Sequence, residues 1–329
     1  MARITIGPDR PTLDAELQIR LADLPARQAV TVRSRAADGS GRPFAAAATF
    51  ETDSAGEVDL AAAMPTAGTH AGADPMGLVW SMAPAPDAPR GDAATGILPP
   101  SRLTLTAEVK GATVATATVD RLRLPEDVTR TEVREQGLVG TLTQGIGPGR
   151  TFEEIVGTPV PSWTWRGKPL PYLRNRPTPE LRRQIAAGEP VALGLVFEPG
   201  MADPAEVDAC AIPVERMRGA ALLISSGQDR MWPCGPMSEV ATRRLTAAGV
   251  AHEHLHFAEA GHPIAPPPYG PATELVSPGP GVAFDMGGTP AANATARAAG
   301  WRRVIEFLSE HLEPSAGLAW RRSPPSRAS

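Results

Sequence analysis

The sequence predicts an all-β N-terminal domain followed by an α/β domain, and two patterns carry this prediction. From residue 3 to about residue 125, short alternating runs of polar and apolar residues are separated by Pro, Gly and Asp clusters, which is typical of an antiparallel β-sandwich. In the last third of the chain strand and helix patterns alternate, which indicates a parallel sheet covered by helices. We therefore expect a β-sandwich over 1–125, an α/β domain over 126–314 and a disordered tail over 315–329.

The strands expected in the first domain are short. Their sequences are RITI, AELQIRL, AVTVRSRA, PFAAAATFET, GEVDL, GLVWSM, RLTLTAEV and ATVATATV. The turns ADGSG at 37–41 and KG at 110–111 suit hairpin connections between neighbouring strands. No catalytic pattern appears among these strands, so any chemistry is expected in the second domain.

Capping residues mark the helices of the second domain. Thr178 can cap a helix that Gly188 ends. The run GAALLISS predicts a strand buried on both faces, and PMSEVATRRLTAAG predicts an amphipathic helix ending at Gly249. HEHLHFAEA predicts another strand, and Thr289 with Pro290 begins a long closing helix.

Composition and charge exclude several classes of function. The chain has 32 basic and 36 acidic residues and no long run of like charges, so we do not expect it to bind nucleic acid. No apolar stretch resembles a secretory signal or reaches membrane-spanning length, which predicts a soluble cytoplasmic protein. Cys210 and Cys234 are the only cysteines and are not spaced as metal ligands, so we expect reduced thiols, no metal site and no cofactor.

Four of the six histidines lie in the stretch AHEHLHFAEAGH. Its first half spells H-E-x-x-H, a zinc-protease pattern that requires both histidines on one face of a helix. The predicted element is a strand, which would place His252, His254 and His256 on one face and Glu253 on the other. We therefore expect solvated imidazoles here and no zinc site.

His262 and Asp229 form a more promising pair. His262 follows the strand HEHLHFAEA in a loop rich in Gly and Pro, and Asp229 follows the preceding strand. The carboxyl ends of parallel strands share one sheet edge, where α/β enzymes place their sites. Asp before His is the chain order of the acid and base in an α/β-hydrolase triad, while the alternative interpretation is a turn aspartate and an unrelated loop histidine.

The sequence resembles one family along most of its length. In the N-terminal half the similar stretches are AELQIRLADLPARQAVTVRS, GEVDL and DPMGLVW. In the C-terminal part they are VREQGLVGTL, SWTWRGKPLPYL, AIPVERMRGAALLISSGQDRMWP, AGHPIAPPPY and GGTPAANATARAAGWRRVIEFL, all in family order. These stretches are similar to the acyl-CoA thioester hydrolase and bile acid-CoA:amino acid N-acyltransferase family.

The resemblance implies a fold and a reaction. The fold would be an immunoglobulin-like β-sandwich followed by an α/β-hydrolase domain. Asp229 and His262 match the family's acid and base. The implied substrates are acyl-CoA thioesters, consistent with a role in acyl-CoA and fatty acid metabolism, and the implied acceptors are water or an amino acid such as glycine or taurine.

One element of the family pattern is missing. The nucleophile elbow, of the type G-x-S-x-G, is expected between VREQGLVGTL and SWTWRGKPLPYL, but only TQGIGPGRTFEEIVGTPVP separates them. The nearest similar stretch, TLTQG, centres on Thr143. We therefore expect a hydrolase domain shortened near 140–162 that lacks several βα units, since one βαβ unit takes about 30 residues or more.

Other residues are weaker candidates for the nucleophile. Two positions before and after Ser162 stand the β-branched residues Val160 and Thr164, where an elbow needs small residues. Ser225 and Ser226 end a strand beside Asp229. Cys234 would start a helix, where the helix dipole favours a thiolate. None of them is guaranteed to lie within hydrogen-bonding distance of His262.

Two functional hypotheses lead on the sequence alone, ahead of a third, a zinc hydrolase built on the H-E-x-x-H pattern. In the first, the chain is a thioesterase or N-acyltransferase that binds acyl-CoA between its two domains and uses His262 and Asp229, with catalysis impaired by the missing elbow. In the second, it is a non-catalytic binding protein or remnant of the same family. A sheet without its central strands also exposes strand edges, which favours self-association.

Overall fold

The structure is a computed structural model of the chain. It describes residues 1–37, 41–85, 102–123, 164–264, 268–272, 275–279 and 282–312. The predicted domain boundary at 125–126, the shortened region near 140–162 and the tail at 315–329 lie outside the described residues.

The described part of the N-terminal region contains two antiparallel sheets around one hydrophobic core. The first sheet has the strand order β1 (Arg3–Gly7), β2 (Gln18–Ala22) and β5 (Val58–Asp59). The second has the order β6 (Ala67–Gly68), β4 (Pro43–Glu51), β3 (Ala29–Ala37), β8 (Arg102–Val109) and β9 (Ala112–Asp120), and β7 (Ala83–Pro84) also pairs with β4. Alternate apolar residues of both sheets are fully buried in this core, among them Ile19, Leu21, Val30, Val32, Phe50 and Leu105.

The turn prediction at 110–111 is confirmed, whereas one strand prediction in this region is wrong. Lys110 and Gly111 both have positive φ angles, of 54° and 80°, as a tight hairpin turn between β8 and β9 requires. The stretch GLVWSM, expected as a strand, instead forms a single helical turn, α1 (Gly77–Trp80). The Asp74 carboxylate starts this turn by accepting hydrogen bonds from the Met76 amide (2.8 Å) and from the Trp80 indole (2.8 Å).

The C-terminal region is a mixture of helices and strands. In chain order it contains β10 (Thr164–Trp165), β11 (Lys168–Pro169), α2 (Pro179–Ala187), a 3₁₀ turn (Leu193–Val196), α3 (Glu198–Met201), α4 (Pro204–Cys210), a second 3₁₀ turn (Val214–Arg216), β12 (Ala221–Ser226), α5 (Cys234–Ala247), β13 (His252–Phe257), β14 (Leu275–Gly279), β15 (Val282–Asp285) and α6 (Pro290–His311). The structure therefore shows antiparallel β-sheets followed by a mixed α/β region, as the coarser part of the fold prediction stated.

The predicted helix caps are also present. The Thr178 hydroxyl accepts a hydrogen bond from the Leu181 amide (3.2 Å), and Gly188 ends α2 with a φ angle of 66°. In the same way, the Thr289 hydroxyl accepts a hydrogen bond from the Ala292 amide (3.2 Å) at the start of α6. Short-range signals in the sequence were sufficient to locate these helix ends.

Strands β12 and β13 are parallel and in register, from Ala221 opposite His252 to Ser226 opposite Phe257. Helix α5 covers one face of this pair, where the Thr246 hydroxyl contacts His252 (3.2 Å). Helix α6 covers the other face. The prediction that β12 is buried on both faces is only partly correct, because its apolar residues are half-buried and β13 is its only neighbouring strand in the part of the chain that the structure describes.

The N-terminal and C-terminal regions meet along α6. The Trp301 indole donates to the Asp14 carboxylate (3.2 Å), and the Ala272 amide donates to the Trp80 carbonyl (2.9 Å). A cavity of about 490 Å³ lies beside these contacts, and its lining includes Glu16, Asp74, Tyr269 and Arg302. Among the described residues, no helix has the length and apolar character needed to cross a membrane.

Candidate active site

The parallel pair brings Asp229 and His262 together at one sheet edge. Asp229 follows the end of β12, and His262 follows the end of β13. The two side chains are joined by a hydrogen bond of 3.0 Å between His262 Nδ1 and Asp229 Oδ2. The Asp229 side chain is 5% exposed and the His262 side chain 33% exposed, so solvent and a substrate can reach the histidine but not its partner.

Three hydrogen bonds hold the Asp229 carboxylate in its ionised form. Its Oδ1 accepts hydrogen bonds from the amides of Met231 (2.8 Å) and Trp232 (3.0 Å), and its Oδ2 binds His262. Burial raises the pKa of Asp229, but the hydrogen bonds from His262 and from the two amides outweigh it and leave the pKa below its usual value. A carboxylate at this position requires the proton on His262 Nδ1, which leaves the Nε2 lone pair available as a base.

The backbone around His262 is held on both sides by α6. The Gly261 amide donates to Asn293 Oδ1 (2.6 Å), and the Pro263 carbonyl accepts two hydrogen bonds from the Arg297 guanidinium (3.0 and 2.7 Å). Asn293 and Arg297 lie four residues apart, so they project from the same face of the helix. The His262 amide itself donates to the Met286 carbonyl (2.8 Å).

Close backbone contacts require glycine beside His262. A Cβ atom on Gly261 would lie 2.0 Å from the Gly287 carbonyl oxygen, and one on Gly288 would lie 2.2 Å from the Gly261 amide nitrogen. Gly288 also has a φ angle of 67°, which disfavours other residues. These glycines allow the chain before α6 to pack directly against the loop that carries His262.

Arg297 is nearly fully buried, with 8% of its surface exposed, and makes further hydrogen bonds to the carbonyls of Gly270 and Pro271 (both 3.3 Å). Burial lowers the pKa of its guanidinium to about 10. Arg297 thus acts as a positioning residue, because its one cation connects both ends of the loop after His262.

We expect Arg297→Ala to lower the free energy of unfolding by about 1–2 kcal/mol, since it leaves buried carbonyl groups without donors. Urea denaturation followed by circular dichroism measures this effect. Arg302→Ala is the matched control, because Arg302 lies on the same helix but is exposed. Equal stability losses in the two variants would contradict the assigned role of Arg297.

Cys234, the candidate nucleophile, is hydrogen-bonded to the backbone of Ser226. Its Sγ accepts a hydrogen bond from the Ser226 amide (3.2 Å) and donates one to the Ser226 carbonyl (3.3 Å). Burial and the nearby Asp229 carboxylate raise the pKa of the thiol, although it lies at the first residue of α5. Desolvation and a neighbouring negative charge therefore oppose the thiolate that a position at the start of a helix would favour.

The candidate serines do not supply a clear nucleophile either. Ser225 is fully buried, and its hydroxyl hydrogen-bonds to His254 Nε2 (2.7 Å) and to His256 Nδ1 (2.9 Å). Ser226 is also buried, and its hydroxyl lies 3.5 Å from Cys234 Sγ. Ser162 and Thr143 lie outside the described residues.

The H-E-x-x-H pattern is not assembled as a zinc-protease site. As predicted from the strand alternation, Glu253 lies on the face opposite the histidines, where Arg303 of α6 binds both of its carboxylate oxygens. His252 is bonded to the Val250 carbonyl (2.8 Å) and to Thr246. The pKa of His254 is lowered by burial and by the charge of His256, both of which disfavour its protonated form.

Asn293 and Arg297 are site residues that the sequence reasoning missed. The signal was present as two polar residues four apart in the small-residue stretch TPAANATARAAG. That spacing predicts a shared helix face, but the loop on which this face packs depends on the tertiary structure.

Family models match both regions of the chain. The N-terminal region of the acyl-CoA thioester hydrolase/BAAT family matches residues 14–135. The BAAT/acyl-CoA thioester hydrolase C-terminal model matches residues 171–314, which include Asp229 and His262. The residues between these two matches, 136–170, contain the whole stretch in which the nucleophile elbow is expected.

Individual relatives show the same similarity. The chain is 24% identical over 408 aligned positions to mouse acyl-coenzyme A thioesterase 6, an alignment that covers 94% of this chain and 97% of the relative. An 84-residue stretch is 38% identical to rat mitochondrial acyl-coenzyme A thioesterase 2, and another alignment of that length is 33% identical to mouse acyl-coenzyme A amino acid N-acyltransferase 1. These shorter alignments cover 25% and 26% of this chain, and only 18% and 20% of the relatives' own lengths. The chain belongs to the acyl-CoA thioester hydrolase/BAAT family, of which it carries both the N-terminal and the C-terminal regions.

Proposed function

We propose that the protein acts on acyl-CoA thioesters, as a thioesterase or as an acyl-CoA:amino acid N-acyltransferase, with His262 as general base and Asp229 as its orienting acid. The observation that carries this proposal is the 3.0 Å hydrogen bond between His262 Nδ1 and the buried Asp229 carboxylate. The relatives named above include both activities, so water and an amine are both candidate acceptors.

The proposed architecture is an immunoglobulin-like β-sandwich over 1–125 followed by an α/β-hydrolase domain over 126–314 that is shortened near 140–162. An alignment of 408 positions contains gaps in a chain of 329 residues, which supports an internal shortening relative to mouse acyl-coenzyme A thioesterase 6. The sequence has no G-x-[SC]-x-G pattern, so the covalent acyl-enzyme route lacks its nucleophile. We therefore expect slow catalysis, since loss of one triad member costs several orders of magnitude in rate.

The remaining pair supports direct attack by the acceptor. His262 Nε2 takes a proton from water or from the amine as that group attacks the thioester carbonyl carbon, and Asp229 stabilises the imidazolium that forms. The tetrahedral intermediate then expels the coenzyme A thiolate, which receives the proton from Nε2. The products are free coenzyme A and either a carboxylic acid or an amide.

The cavity beside α6 is the proposed location for part of the substrate. It lies between the two regions, and its wall includes Tyr269 from the chain segment that follows His262. Apolar atoms of Trp80, Ala294 and Ala298 line it together with the charged side chains of Glu16 and Arg302. Such a mixed lining suits a ligand with both apolar and charged parts, as an acyl-CoA has.

The test is release of free thiol from a panel of acyl-CoA esters of different chain length, with and without glycine or taurine. Release above that of heat-denatured protein supports the proposal, and mass spectrometry of the products separates hydrolysis from amide formation. Absence of release across the panel would rule out the enzymatic function.

A non-catalytic role is the second candidate. The hydrogen bonds of the candidate nucleophiles favour it. Among the described residues, Ser225, Ser226 and Cys234 hydrogen-bond to partners other than His262, so the base contacts none of them in these hydrogen bonds. This candidate predicts saturable binding of an acyl-CoA, measured by isothermal titration calorimetry, without thiol release.

A further inference from the structure

An apolar pocket of about 270 Å³ lies along α5, apart from the cavity beside α6. Val240 and Ala241 of α5 line it, together with Met201 of α3 and Val207 of α4. Leu173, from the chain before α2, also contributes to the lining. The pocket is therefore built from elements that are distant in sequence, and its walls are formed mainly by aliphatic side chains.

Two ion pairs fix the walls of this pocket. Glu206 of α4 accepts hydrogen bonds from the Arg174 amide (3.1 Å) and from the Arg176 guanidinium (2.5 Å), which fixes α4 to the segment before α2. Arg244 of α5 binds both carboxylate oxygens of Glu215 (both 2.9 Å), which fixes α5 to the second 3₁₀ turn. Arg244 also lines the pocket, but its charge is neutralised by Glu215. The pocket is thus already formed and does not present an unpaired charge there.

An aromatic contact lies next to both the pocket and the catalytic pair. The Trp232 indole stacks on Phe197, with the ring centroids 4.8 Å apart. Trp232 also donates its amide to the Asp229 carboxylate (3.0 Å) and lies two residues before α5. Phe197 directly precedes α3, and Leu173 packs against the apolar cluster that contains it. The contact therefore joins the loop that carries Asp229 to the elements that line the pocket.

We propose that this pocket binds the aliphatic chain of the acyl-CoA substrate, an inference that rests on the proposed function above. Apolar walls suit a hydrocarbon chain, and the flexible side chains of Met201 and Met237 can adapt to chains of different shape. An engineered cavity of about 150 Å³ binds benzene, so in proportion the 270 Å³ of this pocket accommodates about ten carbon atoms. A specific protein partner would need a larger surface, since such interfaces bury about 1,200 Å² or more.

The location of the pocket agrees with the position of the catalytic pair. Helices α5 and α6 cover opposite faces of the β12–β13 pair, and His262 and Asp229 lie at the edge of that pair. With the thioester carbonyl at His262, the acyl chain extends past Trp232 on the α5 side. The coenzyme A part then extends on the α6 side, where Arg302 lines the larger cavity.

The experiment is isothermal titration of the full-length protein with S-decyl-coenzyme A and with S-methyl-coenzyme A, two thioethers that have no thioester bond to hydrolyse. We expect S-decyl-coenzyme A to bind more tightly by at least about tenfold, because each buried methylene group strengthens binding about fourfold. Ala241→Phe fills the pocket and should weaken binding of S-decyl-coenzyme A by about tenfold or more, with no change for S-methyl-coenzyme A. Ala247→Phe, at an exposed position of the same helix, is the matched control and should bind both thioethers as the wild type does.

Ile212→Asp is a second variant that tests the rim of the pocket. Ile212 belongs to the lining, but 77% of its surface is exposed, so its substitution is expected to preserve the fold. A far-ultraviolet circular dichroism spectrum verifies this for each variant. We expect binding of S-decyl-coenzyme A to weaken by about fivefold, because a carboxylate beside an aliphatic chain must lose part of its hydration.

Three results would overturn the proposal. One is equal affinity of the wild type for the two thioethers, and another is wild-type affinity for S-decyl-coenzyme A in both Ala241→Phe and Ile212→Asp. The third is a change of oligomeric state in Ile212→Asp, measured by light scattering, without a change in thioether affinity, since it would assign the pocket to a protein contact. Chain-length-dependent binding that Ala241→Phe abolishes, without thiol release from the esters, would support the pocket and reject the catalytic function.

Discussion

Replacement of His262 by glutamine is expected to lower the rate of thiol release from acyl-CoA by a factor of about 10² to 10⁴, the usual contribution of a general base. Glutamine retains a hydrogen-bonding group for Asp229 but cannot accept the proton of the attacking water or amine. The measurement is kcat/KM with the best ester of the panel, determined for wild type and variant under the same conditions.

The matched control for this variant is His252→Gln. His252 also belongs to the AHEHLHFAEAGH stretch, but its ring is bonded to Val250 and Thr246, away from Asp229. We expect its activity to equal that of the wild type. If His262→Gln retained the wild-type rate, another group would have to act as the base, and the proposed role of the Asp229–His262 pair would be wrong.

The second large effect is expected for Asp229→Asn. The asparagine oxygen can still accept from the Met231 and Trp232 amides, but its NH₂ group then faces His262 Nδ1 and favours the tautomer with the proton on Nε2. Because that tautomer cannot act as a base at Nε2, we expect thiol release to fall by about 10² or more.

The same substitution is expected to reduce stability by about 2 kcal/mol at neutral pH, since it removes charge-assisted hydrogen bonds to a buried carboxylate. The folded-state pKa of Asp229 lies below the ordinary value of 3.8. The contribution of the ionised Asp229 carboxylate to the free energy of unfolding is therefore fully present above its unfolded-state pKa. This contribution is lost as the pH falls through the lower folded-state pKa. The stability difference between wild type and Asp229→Asn should accordingly shrink in acid.

Asp203→Asn is the control for this second prediction. Asp203 also accepts hydrogen bonds from two amides, those of Ala205 and Glu206, but it caps α4 at the surface and has no histidine partner. We expect a smaller stability loss and unchanged thiol release. An equal loss of activity in both variants would show that stability, rather than the orientation of His262, explains the effect of Asp229→Asn.

Short-range signals predicted much of the fold correctly. Thr178, Gly188 and Thr289 cap helices because their hydroxyl groups or positive φ angles satisfy the backbone locally. The stretch GLVWSM was predicted wrongly because Asp74, which precedes it, turns the chain into a helical turn. Partial exposure of the apolar strand β12 could not be anticipated either, since it depends on which strands are its neighbours.

The histidines show most clearly which contacts the sequence alone predicts and which depend on the tertiary structure. Chain order and strand ends were enough to pair Asp229 with His262, because parallel strands deliver their carboxyl ends to one edge. Strand alternation was likewise enough to separate Glu253 from the neighbouring histidines. Only the tertiary structure decided two other contacts. His254 and His256 both hydrogen-bond to Ser225, and Asn293 and Arg297 bind the backbone on either side of His262. Each of these contacts joins residues about 30 positions apart, whose distance depends on how the strands and α6 pack.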